Sequence, residues 1–309
     1  MVRRARVGAL LLREGAPCQR ELTFPFQEFI VGSNAHIAVY EQGGCASLGG
    51  VFPRILPNLP DGTLDLKEVE KLCSREDDIH YPVLRLVCIE NTHNNLGGVP
   101  VFAEWTDSIG ALASKFGIPL HIDGARILNA AAALGVTPAR LALAAASVSV
   151  CLSKGVGAPV GTVLVGPTDF IRKARRLRKA LGGGMRQAGC IAAAALVGVR
   201  TIAPRLGDDH ARCRALAAGL AALPGVSLRD GVPRSNIAFF VLHPSIDWDV
   251  LQAGLQARGI AANGGPGLVR LVTHHGVSDA GVEATIAAWR DIVTPMMLAA
   301  GMDKAGQAA

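Results

Sequence analysis

Four short apolar runs, each followed by a stretch of different periodicity, constrain this chain more than any other feature. They span residues 84–90, 119–122, 147–152 and 161–165 and are rich in β-branched side chains. Each is short and largely apolar, and can serve as a strand buried on both faces. Between them, residues 104–116 and 125–134 follow helical patterns, stopped by Gly117 and Gly135 at positions suited to C-caps. Strand–helix alternation of this kind predicts an α/β fold with a mainly parallel sheet covered by helices. In such sheets ligands gather at the carboxyl ends of the strands.

The rest of the chain predicts a second, smaller domain. A helical zone over residues 168–202 is interrupted by Gly182, Gly183 and Gly184, and Pro204 and Gly207 mark a boundary. Helix, strand, helix, strand and helix patterns follow over 208–223, 236–242, 247–258, 268–272 and 278–292, the order of a small α+β domain. The expected organisation is a divergent leader (1–30), a large domain (31–204), a small domain (205–296) and a disordered tail (297–309). A length of 309 residues is comfortable for two domains.

Composition narrows the function. The seven cysteines (Cys18, Cys45, Cys73, Cys88, Cys151, Cys190 and Cys213) are widely and irregularly spaced, so they read as reduced and mostly buried, with no metal site. No apolar run is expected to reach membrane-spanning length, the longest small-residue stretch being 191–199. Arg3, Arg4, Arg6 and Arg13 give the leader a faint organelle-targeting character, but Glu14 and the absence of serine around them favour a cytoplasmic protein. Aromatics at 5% argue against a base-stacking surface, so no nucleic-acid partner is expected. The basic run Arg172, Lys173, Arg175, Arg176, Arg178 and Lys179 reads as a solvated helix face, a subunit contact or an anion site.

Chemistry concentrates where strands end. Lys154 follows the third run inside the small-residue loop Ser153-Lys154-Gly155. Near low-dielectric walls a lysine loses its proton more readily and its amine can form a Schiff base; an ordinary solvated lysine is the plain alternative. Asp123 ends the second run, one strand–helix unit before Lys154, so a parallel sheet puts both on one rim. A carboxylate there can keep a pyridinium nitrogen protonated, or can simply cap the next helix. The cluster Glu90-Asn91-Thr92-His93-Asn94 ends the first run and offers acid–base groups or a side-chain-stapled turn. His36 precedes Tyr40-Glu41-Gln42-Gly43-Gly44 and is either structural or functional. Arg270 sits inside an apolar strand, where its guanidinium requires an anion: a bound carboxylate or an internal salt bridge. Arg126 and Arg186 are further anion-binding candidates, the latter beside glycines that permit close backbone approach.

Taken in order, the strings YEQGG, DGTLDL, ENTHN, HIDGAR, SVSVCLSKGVGAPVG, RKALGGGMRQAG and VRLVTH resemble those of low-specificity L-threonine aldolases, from about residue 31 to 292. The resemblance implies a fold-type-I pyridoxal 5'-phosphate (PLP) enzyme, aspartate-aminotransferase-like, assembled as a homodimer or homotetramer. It implies retro-aldol cleavage of an amino-acid substrate, L-threonine or L-allo-threonine, to glycine and acetaldehyde. Lys154 then matches the lysine that carries the cofactor, Asp123 the partner of the pyridine nitrogen, and Arg126 a neighbour of the cofactor. His36 matches the histidine stacked on the ring, His93 the active-site histidine near the substrate side chain, Arg270 the holder of the substrate carboxylate, and Arg186 a residue near the phosphate. His93 and His36 are both candidate bases. The alternatives are a phenylserine aldolase, a β-eliminating lyase, or an impaired subunit that partners a longer aldolase. Residues 1–30 do not match the family's opening arm or its glycine–threonine phosphate loop. The large domain is therefore expected to be N-terminally incomplete, with weaker phosphate binding and exposed apolar surface.

Overall fold

Consecutive apolar residues in a strand must find cover on both faces, and the first sheet supplies it. The computed structural model describes residues 26–302. The expectations placed on residues 1–25 (targeting, Cys18, most of the leader) and on 303–309 (the end of the tail) lie outside them. The sheet comprises β1 (Gln27–Gly32), β2 (Val51–Leu56), β3 (Val83–Glu90), β4 (Leu120–Asp123), β5 (Ser147–Cys151) and β6 (Thr162–Val165), in the order β2-β1-β3-β4-β5-β6. All neighbours are parallel except β5 and β6, which run antiparallel. The connection between those two is too short for the crossover that a parallel pair requires.

Strands β3 to β6 are the four apolar runs; β1 and β2 extend the sheet further. Strand β1 starts at Gln27, so the leader does not reach residue 30: Phe29, Ile30 and Val31 are at most 1% exposed. Phe29, Val31, Leu86 and Cys88 pack on one face with Phe170, while Ile30, Val87, Ile89 and Ile122 pack on the other. That second face is covered by α3 (Leu66–Cys73), α4 (Ala103–Lys115) and α5 (Ile127–Leu134), through Val69, Ile109, Ala113 and Ile127. Short helices α1 (His36–Val39) and α2 (Gly44–Gly49) join β1 to β2, and α6 (Pro138–Ala142) precedes β5.

The polar member of β1 has its own anchor. Glu28 is 1% exposed, and its carboxylate accepts from Arg54 of β2 (Nη2 at 2.7 Å, Nε at 3.0 Å) and from Arg75 Nη2 at 2.6 Å. Arg75 in turn lies over the Tyr81 ring at 4.7 Å. One buried carboxylate thus ties two strands to the segment that follows α3.

The helical zone resolves into α7 (Thr168–Ala180) and α8 (Gly189–Val197), after which irregular turns lead to α9 (Leu206–Ala221). The expectation that no segment is long and apolar enough for a membrane is corrected: the helical run Gly189–Ala221 is, by length and composition. Its part within α9 is packed in a protein core through Leu206, Cys213, Leu216, Ala217 and Leu220. Five described cysteines are buried and Cys190 is exposed, all as free thiols.

The chain divides between Pro204 and Arg205 into two units. The second contains α9, β7 (Val226–Leu228), β8 (Ile237–Leu242), α10 (Trp248–Gln256), β9 (Asn263–Gly265), β10 (Leu268–Val272) and α11 (Asp279–Ala299). Its sheet is antiparallel, in the order β7-β8-β10-β9. Phe240, Leu251, Val269 and Trp289 centre its core. The tail expected to be disordered from residue 297 instead begins inside α11, because Met297 is fully buried in that core. Its thioether occupies the space beside Gly225, where a Cβ would come within 2.7 Å of the sulfur.

Replacing Glu28 by glutamine removes a buried charge and keeps the shape. Urea unfolding of the Glu28→Gln chain is expected to show a loss of about 2 kcal/mol. A loss below about 0.5 kcal/mol would mean that water already compensates the two arginines.

Candidate active site

Parallel register sets three polar side chains side by side at the carboxyl ends of the strands. Glu90 of β3 pairs with Asp123 of β4, and Asp123 with Ser149 of β5. Asp123 is 4% exposed; its Oδ1 accepts from Ser149 Oγ at 3.3 Å and from the Ala125 amide at 3.1 Å. The carboxylate thus also shapes the turn into α5, as its capping reading anticipates. Gly124 is required beside it, since a Cβ there would meet Val148 at 2.9 Å and the Ser149 carbonyl at 3.1 Å.

Lys154 lies three residues beyond β5, half-buried, in the tight connection to β6. Gly157 N donates to its carbonyl at 2.8 Å and Ala158 N to that of Leu152 at 2.9 Å, which closes the loop. Burial pushes the neighbouring Cys151 thiol up, but the Ser153 hydroxyl and the Lys154 charge bring it below its ordinary value.

Glu90 is the hub of the rim. Its Oε2 accepts from the His36 amide at 2.6 Å and its Oε1 from the Asn94 amide at 2.8 Å. Asn94 Oδ1 accepts from Arg126 Nη1 at 2.8 Å, and Asn95 Nδ2 donates to the Asn34 carbonyl at 2.9 Å. His36 itself contacts Glu41 Oε1 through Nδ1 at 2.9 Å and leans on Tyr40 with ring centroids 5.2 Å apart. A single buried carboxylate therefore joins the loop carrying His36 to the loop carrying His93 and, through Asn94, to Arg126. Burial first, and the nearby Asp123 charge second, push Glu90 up to about 7 despite the two amides that favour its ionised form.

His93 is fully buried, and burial brings it down to about 4, so it is neutral at physiological pH. Neither of its ring nitrogens, nor the Thr92 hydroxyl, has a hydrogen-bond partner among the described residues. Buried polar atoms of this kind are rare and expensive in a folded protein, which marks a place for a polar ligand.

The first unit thus gathers His36, His93, Asp123 and Arg126 around Glu90, with Lys154 following the next strand of the same rim. Glu90 was legible only as a member of the ENTHN cluster; its signal was its place, the last residue of an apolar strand in register with Asp123. Arg186 is exposed in the loop between α7 and α8, and no hydrogen bond or ion pair among the described residues reaches it. Arg270 lies half-buried on β10 of the second unit.

The family model described as beta-eliminating lyase matches residues 18–242. The chain is 41% identical over 273 residues to low-specificity L-threonine aldolase 1 of Arabidopsis thaliana, covering 87% of this chain and 76% of that protein. It is 37% identical over 264 residues to the low specificity L-threonine aldolase of Escherichia coli K12, covering 85% and 77%. Among solved structures, a threonine aldolase of Leishmania major superposes with a TM-score of 0.75 at 20% identity, covering 94% of this chain and 81% of that one. The fold is accordingly that of the fold-type-I enzymes.

The buried histidine sets a pH dependence. Its pKa falls from 6.5 in the unfolded chain to about 4 in the folded one, so the unfolded chain binds the extra proton first as pH drops. Stability is present above pH 6.5 and is lost as pH falls toward 4, by on the order of 3 kcal/mol from this group. Urea midpoints measured between those pH values should fall less steeply for His93→Gln than for the parent chain; parallel curves would show that His93 is not buried neutral.

Proposed function

The chain belongs to the beta-eliminating lyase family, and on that premise we propose that it is a PLP-dependent aldolase cleaving L-threonine and L-allo-threonine to glycine and acetaldehyde. The observation that carries the reading is the rim itself: Lys154 and Asp123 at the ends of adjacent parallel strands, in a chain 41% identical to a low-specificity L-threonine aldolase. The residues present fit the cofactor. Two buried carboxylates stand in register, Glu90 being pushed up to about 7 by burial and then by the Asp123 charge, and fully buried His93 has both nitrogens unpartnered among the described residues.

Lys154 would hold the cofactor through its amine, and Asp123 would face the ring nitrogen. His36, fixed between Glu90 and Glu41, would flank the ring, Arg126 would lie beside the cofactor, and Arg186 would serve the phosphate. When bound, PLP supplies an electron sink for the pair left on Cα as the Cα–Cβ bond breaks. The residues of the chain do the rest. Arg270 binds the substrate carboxylate and fixes which Cα bond is aligned for cleavage. His93, neutral near pH 7, accepts the β-hydroxyl proton as the aldehyde carbonyl forms. His36 is the second candidate for that proton, although its Nδ1 is committed to Glu41. Glu90 touches neither reacting atom in this reading and keeps the two histidine loops in place. Return of a proton to Cα gives glycine.

The same reading includes a homo-oligomer in a reducing, cytoplasmic setting. The apolar side chains Met185, Leu196, Val197 and Val199 are 40–60% exposed around α8, a surface suited to a second copy. Light scattering of the purified chain tests this; a monomer at micromolar concentration would overturn it.

Acetaldehyde release from L-threonine, followed with purified chain and added PLP in an NADH-coupled assay, tests the activity. Lys154→Ala is expected to abolish it, and Asp123→Asn to lower kcat at least about 100-fold, as for other groups that tune a cofactor electronically. Full turnover by Lys154→Ala would sink the proposal.

A further inference from the structure

The second unit carries a row of side chains of which the reading above uses only Arg270. In its sheet Arg270 of β10 faces Phe239 of β8 on one side and Asn263 of β9 on the other. Beyond β7 the ladder continues: the Arg229 amide donates to the Phe239 carbonyl at 3.0 Å. Arg229, Phe239, Arg270 and Asn263 therefore form one line across the four strands. Strand alternation puts this line on the face opposite the core, since Ala238, Phe240, Val269 and Leu271 are the core-facing residues of β8 and β10.

Within the line the Phe239 ring lies between two guanidinium groups in sequence of contact. The Arg229 guanidinium sits 3.8 Å from the ring centroid, and the Arg270 guanidinium 5.9 Å. Both fall inside the distance at which a ring face attracts a cation. Two cations on one ring would repel, but Arg229 is neutralised by Asp230, to which it donates from Nε at 2.8 Å and from Nη2 at 2.7 Å. The paired Arg229 holds the ring, and the ring remains available to Arg270. Phe239 is 8% exposed, so the ring itself has little freedom to turn.

We propose that Phe239 is a positioning residue for the substrate carboxylate, its ring fixing the Arg270 guanidinium in the orientation that receives that group. This rests on the reading of Arg270 as the carboxylate holder. A guanidinium on a flexible stem loses rotamer freedom when it grips a carboxylate; a ring that orders it beforehand removes part of that penalty. The effect falls on binding and not on bond cleavage, because Phe239 touches neither cofactor nor reacting atoms.

The test uses the PLP-loaded protein with Phe239→Leu, Phe239→Tyr and Arg270→Lys. For Phe239→Leu the KM for L-threonine and the calorimetric Kd for glycine are expected to rise together, about five- to tenfold, with kcat within about twofold. Phe239→Tyr keeps a ring and should match the parent in both. Phe239→Met serves as a second ring-less variant, with the same expectation, should leucine unfold the sheet. Unchanged KM and Kd in the ring-less variants, alongside a raised KM in Arg270→Lys, would overturn the role of Phe239 alone. An unchanged KM in Arg270→Lys would overturn the role of Arg270 and with it this inference. A fall in kcat at constant Kd would also overturn it, since that pattern belongs to a group acting on the chemical step.

Discussion

Two carboxylates forced side by side out of water are the constraint on which the first unit depends. Glu90 and Asp123 occupy paired positions on neighbouring parallel strands, and each is about 5% exposed or less. Like charges at such separation raise one another's proton affinity, and burial adds to the effect. The chain answers the two differently. Asp123 receives an amide and a hydroxyl, while Glu90 receives two amides from loops on either side and is still pushed up to about 7. Because those amides belong to His36 and Asn94, the solution to an electrostatic problem also fixes the geometry of the histidine-bearing loops. A site built in this way favours a ligand with an N–H or a positive charge at its acidic centre.

The sheet topology decides what else can reach that centre. Parallel strands deliver their carboxyl ends to one rim, so β3, β4 and β5 each contribute a polar terminus there. The reversal at β6 then matters: a crossover helix would move the chain after β5 away, whereas the antiparallel return keeps Lys154 in a short closed loop. Gly124, tight against Val148 and Ser149, lets β4 turn into α5 without displacing Asp123.

What the sequence revealed follows the range of the interactions involved. Strands β3 to β5 were legible as runs largely buried on both faces, whereas β6, expected to be so too, leaves Val163 and Val165 exposed. Asp123 and Lys154 were legible because each directly follows such a run. The leader, read to residue 30 for want of a period or motif, takes in the first four residues of β1, where buried Glu28 is held by Arg54 and Arg75, partners 26 and 47 residues away. Glu90 gains its role from an amide 54 residues distant, which no local pattern encodes. Met297 was assigned to a disordered tail because the period of α11 weakens near Pro295, yet its place beside Gly225 is set by tertiary packing. Arg186 was read as an anion-binding candidate from the glycines beside it, and its exposed loop supplies no further geometric support among the described residues.

Each unit orders charged groups in its own way. The first unit concentrates acid at its rim, where Glu90 and Asp123 accept from backbone amides and a hydroxyl. On the open face of the second unit's antiparallel sheet, Asp230 occupies Arg229 and the Phe239 ring lies against Arg270. An aromatic ring can steer a guanidinium without forming a salt bridge to it. A carboxylate in the place of Phe239 would instead hold Arg270 by charge, and more firmly. Amides and a hydroxyl order the buried acid pair, and a ring lies beside the guanidinium, so each unit positions a charged group through neutral contacts of its own chain.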